Sequence, residues 1–358
     1  MNIKQARAAI SHPAFCGVSP QHLGELTEEL APRWEARCEF GRRERRQGAR
    51  RRQAGAGPKY ELVFTDRLLV TLVHLRTGLT HEALAVIYEV GSSTIGRAIS
   101  EIRLLLAERG FAVPDRPGLR LRTLEDVFAY AAAENVTLRI DGTETQVRRP
   151  KAHRPGRRAF VSGKRKQNTI KTTTISDHQG RTLWSGAMRP GRMHDQTAIR
   201  TEGIAEQFRL HPTVRAEVDE GYRGLANEFP NQVSAPPRKP TDIDNAPLTE
   251  RYGWREMRRR QSSRRICVEH ANAEHRQWQP LQRYTGRREE YGEIHRAVAG
   301  LGLRPRRQAG HPTQAQLRTR PRPLDGLLNQ PLAEPQASTP QHQSRVSPLD
   351  GRLAAGRV

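Results

Sequence analysis

Apolar residues recur at helical spacing through the first third of the chain and at strand spacing through its middle. Leu23, Leu26 and Leu30 stand at i, i+3 and i+7, with Pro32 expected to end that helix. From Tyr60 the pattern becomes dense. Phe64, Leu68, Leu69 and Leu72 line one predicted helix, Leu84 and Ile87 a second, and Ile95, Ile99 and Ile102 a third. Between the second and third lies Glu89-Val90-Gly91-Ser92-Ser93, a glycine turn followed by serines able to cap the next helix. Helix, turn and capped helix form a helix-turn-helix pattern, whose last helix would present Ser93, Thr94 and Arg97 opposite its isoleucine face; an ordinary helical hairpin has the same spacing.

Residues 111 to 123 read as a connector and Leu124 to Ala133 as a further helix. The period then switches: Val136, Leu138 and Ile140 alternate with Thr137 and Arg139, and the predicted strand ends at Asp141-Gly142-Thr143-Glu144. A hairpin follows, with Thr169 to Ser176 running out, Asp177-His178-Gln179-Gly180 turning and Arg181 to Met188 returning. Asp195 is expected to cap a helix through Ala198, Ile199, Ile204 and Phe208, after which Val214 to Val218 forms a strand that delivers Asp219. A late helix carries Glu269. The order of strand, hairpin, helix, strand and helix points to an α/β class, an RNase H-like core of mixed sheet flanked by helices, preceded by an all-α helix-turn-helix domain. The expected division is 1–57 (helix and basic arm), 58–110 (helix-turn-helix), 111–134 (connector and helix), 135–300 (catalytic core) and 301–358. That last stretch, rich in Pro, Gln and Arg and without an aromatic residue, has too little apolar surface to offset ordering entropy and is expected to be disordered.

Composition adds a partner. The formal net charge is +23 over 358 residues and the sequence pI about 11.1, which implies a polyanion, and nucleic acid before an anionic membrane. No apolar run is long enough to cross a membrane, and the N-terminus lacks the apolar core of a secretory signal, so a cytoplasmic, nucleoid-associated protein is expected. Cys16, Cys38 and Cys267 are widely separated and suggest neither zinc nor a disulfide framework. The run Arg42-Arg43-Glu44-Arg45-Arg46 with Arg50-Arg51-Arg52 reads equally as a solvated linker or a phosphate-gripping arm.

Against this basic background Asp141, Asp219 and Glu269 stand out. Two end β-rich segments, and the third shares a helix face with Arg265, four residues back, and Arg276, seven residues on. Phosphodiester chemistry with two divalent ions, about 3.5 to 4 Å apart, needs carboxylates held in this way. Taken singly, each acid also reads as a turn residue or half of a surface ion pair. Lys171, Arg192 and Arg223 are candidate phosphate contacts; Trp254 and Trp278 could stack on bases, whereas Trp184 lies in an apolar strand and reads as core. His194 beside Asp195 suggests a secondary metal or structural role.

Several blocks together resemble the DDE transposases of bacterial insertion sequences, in insertion-sequence family five and related to Harbinger-type endonucleases. They are Leu79-Thr80-His81-Glu82-Ala83-Leu84-Ala85 with Ser93-Thr94-Ile95, Ile140-Asp141-Gly142-Thr143-Glu144, Pro190-Gly191-Arg192-Met193-His194-Asp195, Asp219-Glu220-Gly221-Tyr222-Arg223-Gly224 and Val268-Glu269-His270-Ala271-Asn272-Ala273-Glu274. The resemblance implies Asp141, Asp219 and Glu269 as catalytic metal ligands for Mg2+ or Mn2+, with two ions. It further implies binding to double-stranded DNA at element ends and target, cleavage at terminal inverted repeats, transfer of the 3′ hydroxyl, and a homo-oligomer on DNA. In related families a tyrosine, arginine, glutamate, lysine signature surrounds the last acid; here Arg265 and Glu269 fit, Ser262 replaces the tyrosine and Arg276 the lysine. The competing readings are a DNA-binding protein without catalysis and a metal-dependent nuclease without strand transfer.

Overall fold

A computed structural model describes residues 3–48, 60–113, 116, 118–149 and 157–302. Of the tail expected to be disordered, residues 303–358 lie outside the described residues, as do Arg50 to Arg52 of the basic run; Leu301, at its start, is instead buried in the core. The N-terminal layer comprises α1 (Ile3–Ile10), α2 (Pro13–Cys16), α3 (Pro20–Arg46), α4 (Phe64–Thr77), α5 (His81–Tyr88) and α6 (Ser92–Glu108). Ser19 caps α3 by accepting from the His22 amide, with Pro20 in the first turn, where its missing N–H costs nothing. The helix passes through Pro32, contrary to the expected stop. Proline forfeits one internal hydrogen bond, but Leu26, Leu30 and Trp34 are buried on both sides of it and hold the helix against its neighbours. The run Arg42 to Arg46 is therefore the last turns of a helix.

Thr80 caps α5 through its side chain. The turn into α6 differs from expectation: Glu89, not glycine, takes the left-handed conformation at φ 52°, and Gly91 is the extended N-cap of α6. Ser92 and Ser93 lie inside the helix and cap nothing. A short ribbon, β1 (Phe111–Ala112) with β2 (Arg120–Leu121), leads to α7 (Leu124–Ala133), which Thr123 and Asp126 close with a reciprocal capping box.

The sheet is built on β3 (Leu138–Val147), followed by β4 (Thr169–Ser176), β5 (Thr182–Ser185), the short β6 (Arg189–Pro190), α8 (Asp195–Thr201), α9 (Ile204–Leu210), β7 (Ala216–Val218), α10 (Arg223–Glu228) and β8 (Val233–Ser234). Its order is β5-β4-β3-β7-β8. The first three strands run antiparallel, whereas β7 is parallel to β3 and β8 to β7. Three antiparallel strands extended by parallel ones, with helices in the crossovers, are the RNase H-like arrangement. Strand β3 does not end at Asp141. It pairs with β4 from Arg139↔Ser176 to Gln146↔Thr169, so that Thr143, Thr145 and Val147 carry the strand six residues past the aspartate, which sits mid-strand.

The chain closes with α11 (Leu248–His275), α12 (Gln279–Gln282), β9 (Arg283–Tyr284) and α13 (Arg288–Ala299). One apolar cluster joins α3, α4 and α6 to Val147, Ile170, Trp278, Tyr284, Tyr291 and Ile294; a second lies between α7, the sheet and α8 to α10. Trp278 is fully buried in the first, which removes it as a base-stacking residue. Trp184 is partly buried against the second.

Candidate active site

The parallel pairing of β3 with β7, Ile140↔Val218, brings the next residues of the two strands, Asp141 and Asp219, to adjacent positions where β7 stops. Helix α11 crosses this point, anchored by the Arg139 Nε bond to the Arg264 carbonyl at 2.9 Å. Arg265 on that helix lodges between the two acids: its guanidinium lies 2.8 Å from Asp219 Oδ1 and 3.5 Å from Asp141 Oδ1. One further contact comes from the same helix. Asn272 Nδ2 donates to Asp141 Oδ2 at 2.8 Å, and its amide is oriented by the Thr143 hydroxyl, which donates to Asn272 Oδ1 at 3.0 Å.

The two carboxylates are electrostatically unequal. Burial pushes Asp141 up to about 6, against the pull of Arg265 and the Gly142 amide, with Asp219 and Asp195 adding repulsion. Asp219 is also pushed up by burial, but the Glu220 amide and Arg265 outweigh it and hold the group below the usual carboxylate range. A pair that shares one fixed cation, one member proton-hungry and the other not, is a site that favours positive charge.

A second layer supports the pair. The N-cap of α8 is His194, whose Nδ1 accepts from the Gln196 amide at 3.3 Å; Asp195 is the first helical residue and does not cap. Histidine takes that task because the Asp195 carboxylate is drawn inward by the buried Lys171, 2.5 Å away. Lys171 also donates to the Met193 carbonyl at 2.8 Å and faces Glu144 at 3.7 Å, so it is a structural cation and no phosphate contact. Asp195 packs on the glycines that follow each acid: a Cβ on Gly221 would meet Asp195 Oδ2 at 2.5 Å, and one on Gly142 would meet the Tyr222 hydroxyl at 2.6 Å. Asp-Gly and Asp-Glu-Gly therefore mark close approach here, which turn chemistry alone does not require. Sequence reading took Lys171 for a phosphate contact and gave Asn272, Thr143 and Tyr222 no role of their own, although each lies in one of the resembling blocks. Asn272 had one usable signal, seven residues after Arg265 on the same helical face.

Glu269 is exposed, and among the described residues its carboxylate makes no hydrogen bond or ion pair and no three His, Cys, Asp or Glu side chains stand close enough to hold a metal ion. The expected three-acid cage is thus not assembled: Arg265 and Asn272, one turn to either side of Glu269, take the positions facing Asp141. Glu269 nevertheless shares their stripe, as does exposed Arg276 at the end of α11. Arg192 is exposed, and Arg223 is engaged by Glu220.

Residues 140–302 match the family model of a DDE superfamily endonuclease. Residues 60–112 match the model for the helix-turn-helix of DDE superfamily endonucleases, a span that contains α4 to α6. No curated protein matches the chain. Among solved structures, the Mos1 transposase paired-end complex with left transposon end is 12% identical over 71% of this chain and 83% of that one, at a TM-score of 0.17. The Mos1 strand transfer complex is 14% identical over 70% and 81%, at 0.16, and the Mos1 mariner paired-end complex with Mn is 15% identical over 85% and 99%, at 0.17. The fold assignment rests on the strand order of the sheet, not on these slight likenesses.

Within the segment matched as helix-turn-helix, the two ends of α6 are treated differently. Its C-terminal half is docked: Arg103 pairs with Glu293 at 2.6 Å and Glu290 at 3.2 Å, both on α13, and Arg109 donates to the Gly300 carbonyl at 3.1 Å. Its N-terminal half leaves Ser93 and Arg97 exposed, whereas the Thr94 hydroxyl is committed to Glu61 Oε2 at 3.2 Å. A rigid helix with a free, cationic N-terminal end is the form that enters a major groove.

Proposed function

We propose that the chain is a metal-dependent DNA endonuclease of the transposase type, with Asp141 and Asp219 as metal ligands and Glu269 joining them from α11. The observation that carries this reading is Arg265: the two carboxylates already share a cation, and a divalent ion fits a donor set of two adjacent carboxylates with one edge open to solvent. When bound, Mg2+ or Mn2+ would activate an oxygen nucleophile and neutralise charge growing on the phosphate. The chain's own residues do the rest. Asn272 and Thr143 hold Asp141 in one orientation, Lys171 and Asp195 fix the segments carrying the two acids, and Arg265 supplies a guanidinium for a phosphate oxygen. Ser93 and Arg97 contact duplex DNA at the element ends. The finer reading is an insertion-sequence enzyme of family five that cuts at terminal inverted repeats, joins the freed 3′ hydroxyl to target DNA and works as a homo-oligomer.

A DNA-binding role without catalysis is favoured by one observation, the exposed Glu269 standing apart from the aspartates. Incubating the protein with its element's end sequences and Mg2+ or Mn2+ decides between them. Cleavage at the ends that Asp141→Asn abolishes supports the endonuclease. Tight end binding without cleavage in either protein supports the binder, and cutting without end preference supports a nuclease that does not transfer strands.

A further inference from the structure

A cleft of about 480 Å3 has Asp219 in its wall, together with Glu220, Arg223, Arg238, Lys239 and Arg258 and the Pro236-Pro237 segment. Its walls come from three segments: the stretch from Asp219 into the start of α10, the loop after β8 and Arg258 in the third turn of α11. The four cations do not have equal freedom. Arg223 is consumed in place, forked onto Glu220 at 2.6 and 2.5 Å and donating to the Pro236 carbonyl, so it shapes the loop. Arg238, Lys239 and Arg258 are exposed, and none forms an ion pair with an acidic side chain among the described residues. Arg258 lies 5.5 Å over the Trp254 ring, and the Trp254 indole donates to the Pro237 carbonyl at 3.3 Å, so the loop that carries Arg238 and Lys239 is held to α11.

A surface that concentrates unpaired cations on a preorganised loop binds anions with little ordering cost. The cleft's volume exceeds what one phosphate needs and suits a sugar-phosphate unit. Its rim is Asp219 itself. We infer that this cleft holds the sugar-phosphate backbone of a single DNA strand immediately beside the bond that is cut, with Arg238, Lys239 and Arg258 on successive phosphates. This rests on the endonuclease reading for its choice of nucleic acid and for the position of the cut bond.

The test is the binding of a fluorescent eight-residue single-stranded deoxyoligonucleotide, followed by anisotropy in EDTA across a salt series. Wild type is compared with Arg238→Ala/Lys239→Ala, with Arg258→Ala, and with Arg122→Ala/Arg283→Ala, which removes the same charge as the double variant from exposed positions elsewhere. The cleft double variant is expected to bind at least tenfold more weakly, and its slope of log affinity against log salt to fall by about 1.4, near 0.7 for each lost phosphate contact on a single strand. The distant double variant stays within about threefold of wild type. Equal weakening in both double variants, or cleft variants within twofold of wild type, overturns the inference. Asp141→Asn separates the two claims: full oligonucleotide affinity of both wild type and this variant in EDTA, with no end cleavage by either protein in Mg2+ or Mn2+, sinks the endonuclease reading and leaves the cleft standing.

Discussion

Gly180→Ala tests how tightly the β4–β5 turn is pressed on the helix that carries Arg265, Asn272 and Glu269. Gly180 has φ +80°, and a Cβ there would lie 2.4 Å from the Cys267 carbonyl oxygen and 3.1 Å from its carbon, both α11 backbone. Two costs follow. Left-handed backbone costs alanine roughly 1–2 kcal/mol, and forcing a methyl into packed backbone costs about 1–3 kcal/mol. A gain of about 0.4–1 kcal/mol from the stiffer unfolded chain offsets part of this, which leaves a net loss of about 1–4.6 kcal/mol. Gly203 isolates the first cost: its φ is +77°, yet the nearest atom to a Cβ is Glu206 Oε2 at 3.9 Å. Gly203→Ala is therefore expected to lose about 0–1.5 kcal/mol by the same terms. Urea unfolding of both variants at unchanged m-value measures the difference. End cleavage should fall with Gly180→Ala, since Cys267 lies two residues from both Arg265 and Glu269, and persist in Gly203→Ala. Two variants within 0.5 kcal/mol of each other would refute the close packing of turn on helix.

The remaining expectations concern buried charge and the DNA-facing helix. His275 and His295 are held neutral by burial, pushed down to about 4 and about 3, so their contribution is complete above about pH 6.5 and is lost as pH falls toward those values. Urea unfolding between pH 7 and 4.5 should show stability falling by about 1.4 kcal/mol per pH unit for each histidine, with a shallower slope in His295→Gln; parallel slopes would count against it. Lys171→Met leaves Asp195 and Glu144 without their shared cation and should cost about 3–5 kcal/mol in urea unfolding, a loss under 1 kcal/mol being inconsistent with a buried ion cluster. Arg97→Ala should lower the salt slope of duplex-end binding by about 0.9, one phosphate contact on B-DNA, and an unchanged slope would remove Arg97 from the interface.

Periodicity made most of the elements legible. Alternation at Val136 to Ile140 announced β3, the β-rich run from Thr169 announced the hairpin, and the isoleucine spacing announced α6. Where the reading failed, a local signal was overruled by distant packing. Pro32 reads as a stop, but Trp34 on its far side is buried and its indole bonds Glu101 on α6 at 3.1 Å. Asp141-Gly142 reads as a strand end, but eight residues of pairing with β4 continue β3 through it. Asp195 reads as a cap, but Lys171 offers its carboxylate a buried cation, a stronger partner than two exposed amides.

The sequence by itself pointed to a polyanionic partner and determined the order of elements and the presence of acids on β-rich segments and on a late helix, because charge, period and residue type are properties of neighbours along the chain. Tertiary structure alone decided which groups meet. The parallel register of β3 and β7 sets Asp141 beside Asp219, and the crossing of α11 sends Arg265 and Asn272 toward them while Glu269 faces solvent. Residues on one helical stripe differ by only a few tens of degrees, so which of them reaches the sheet depends on the angle at which the helix docks, and no spacing along the chain encodes that angle.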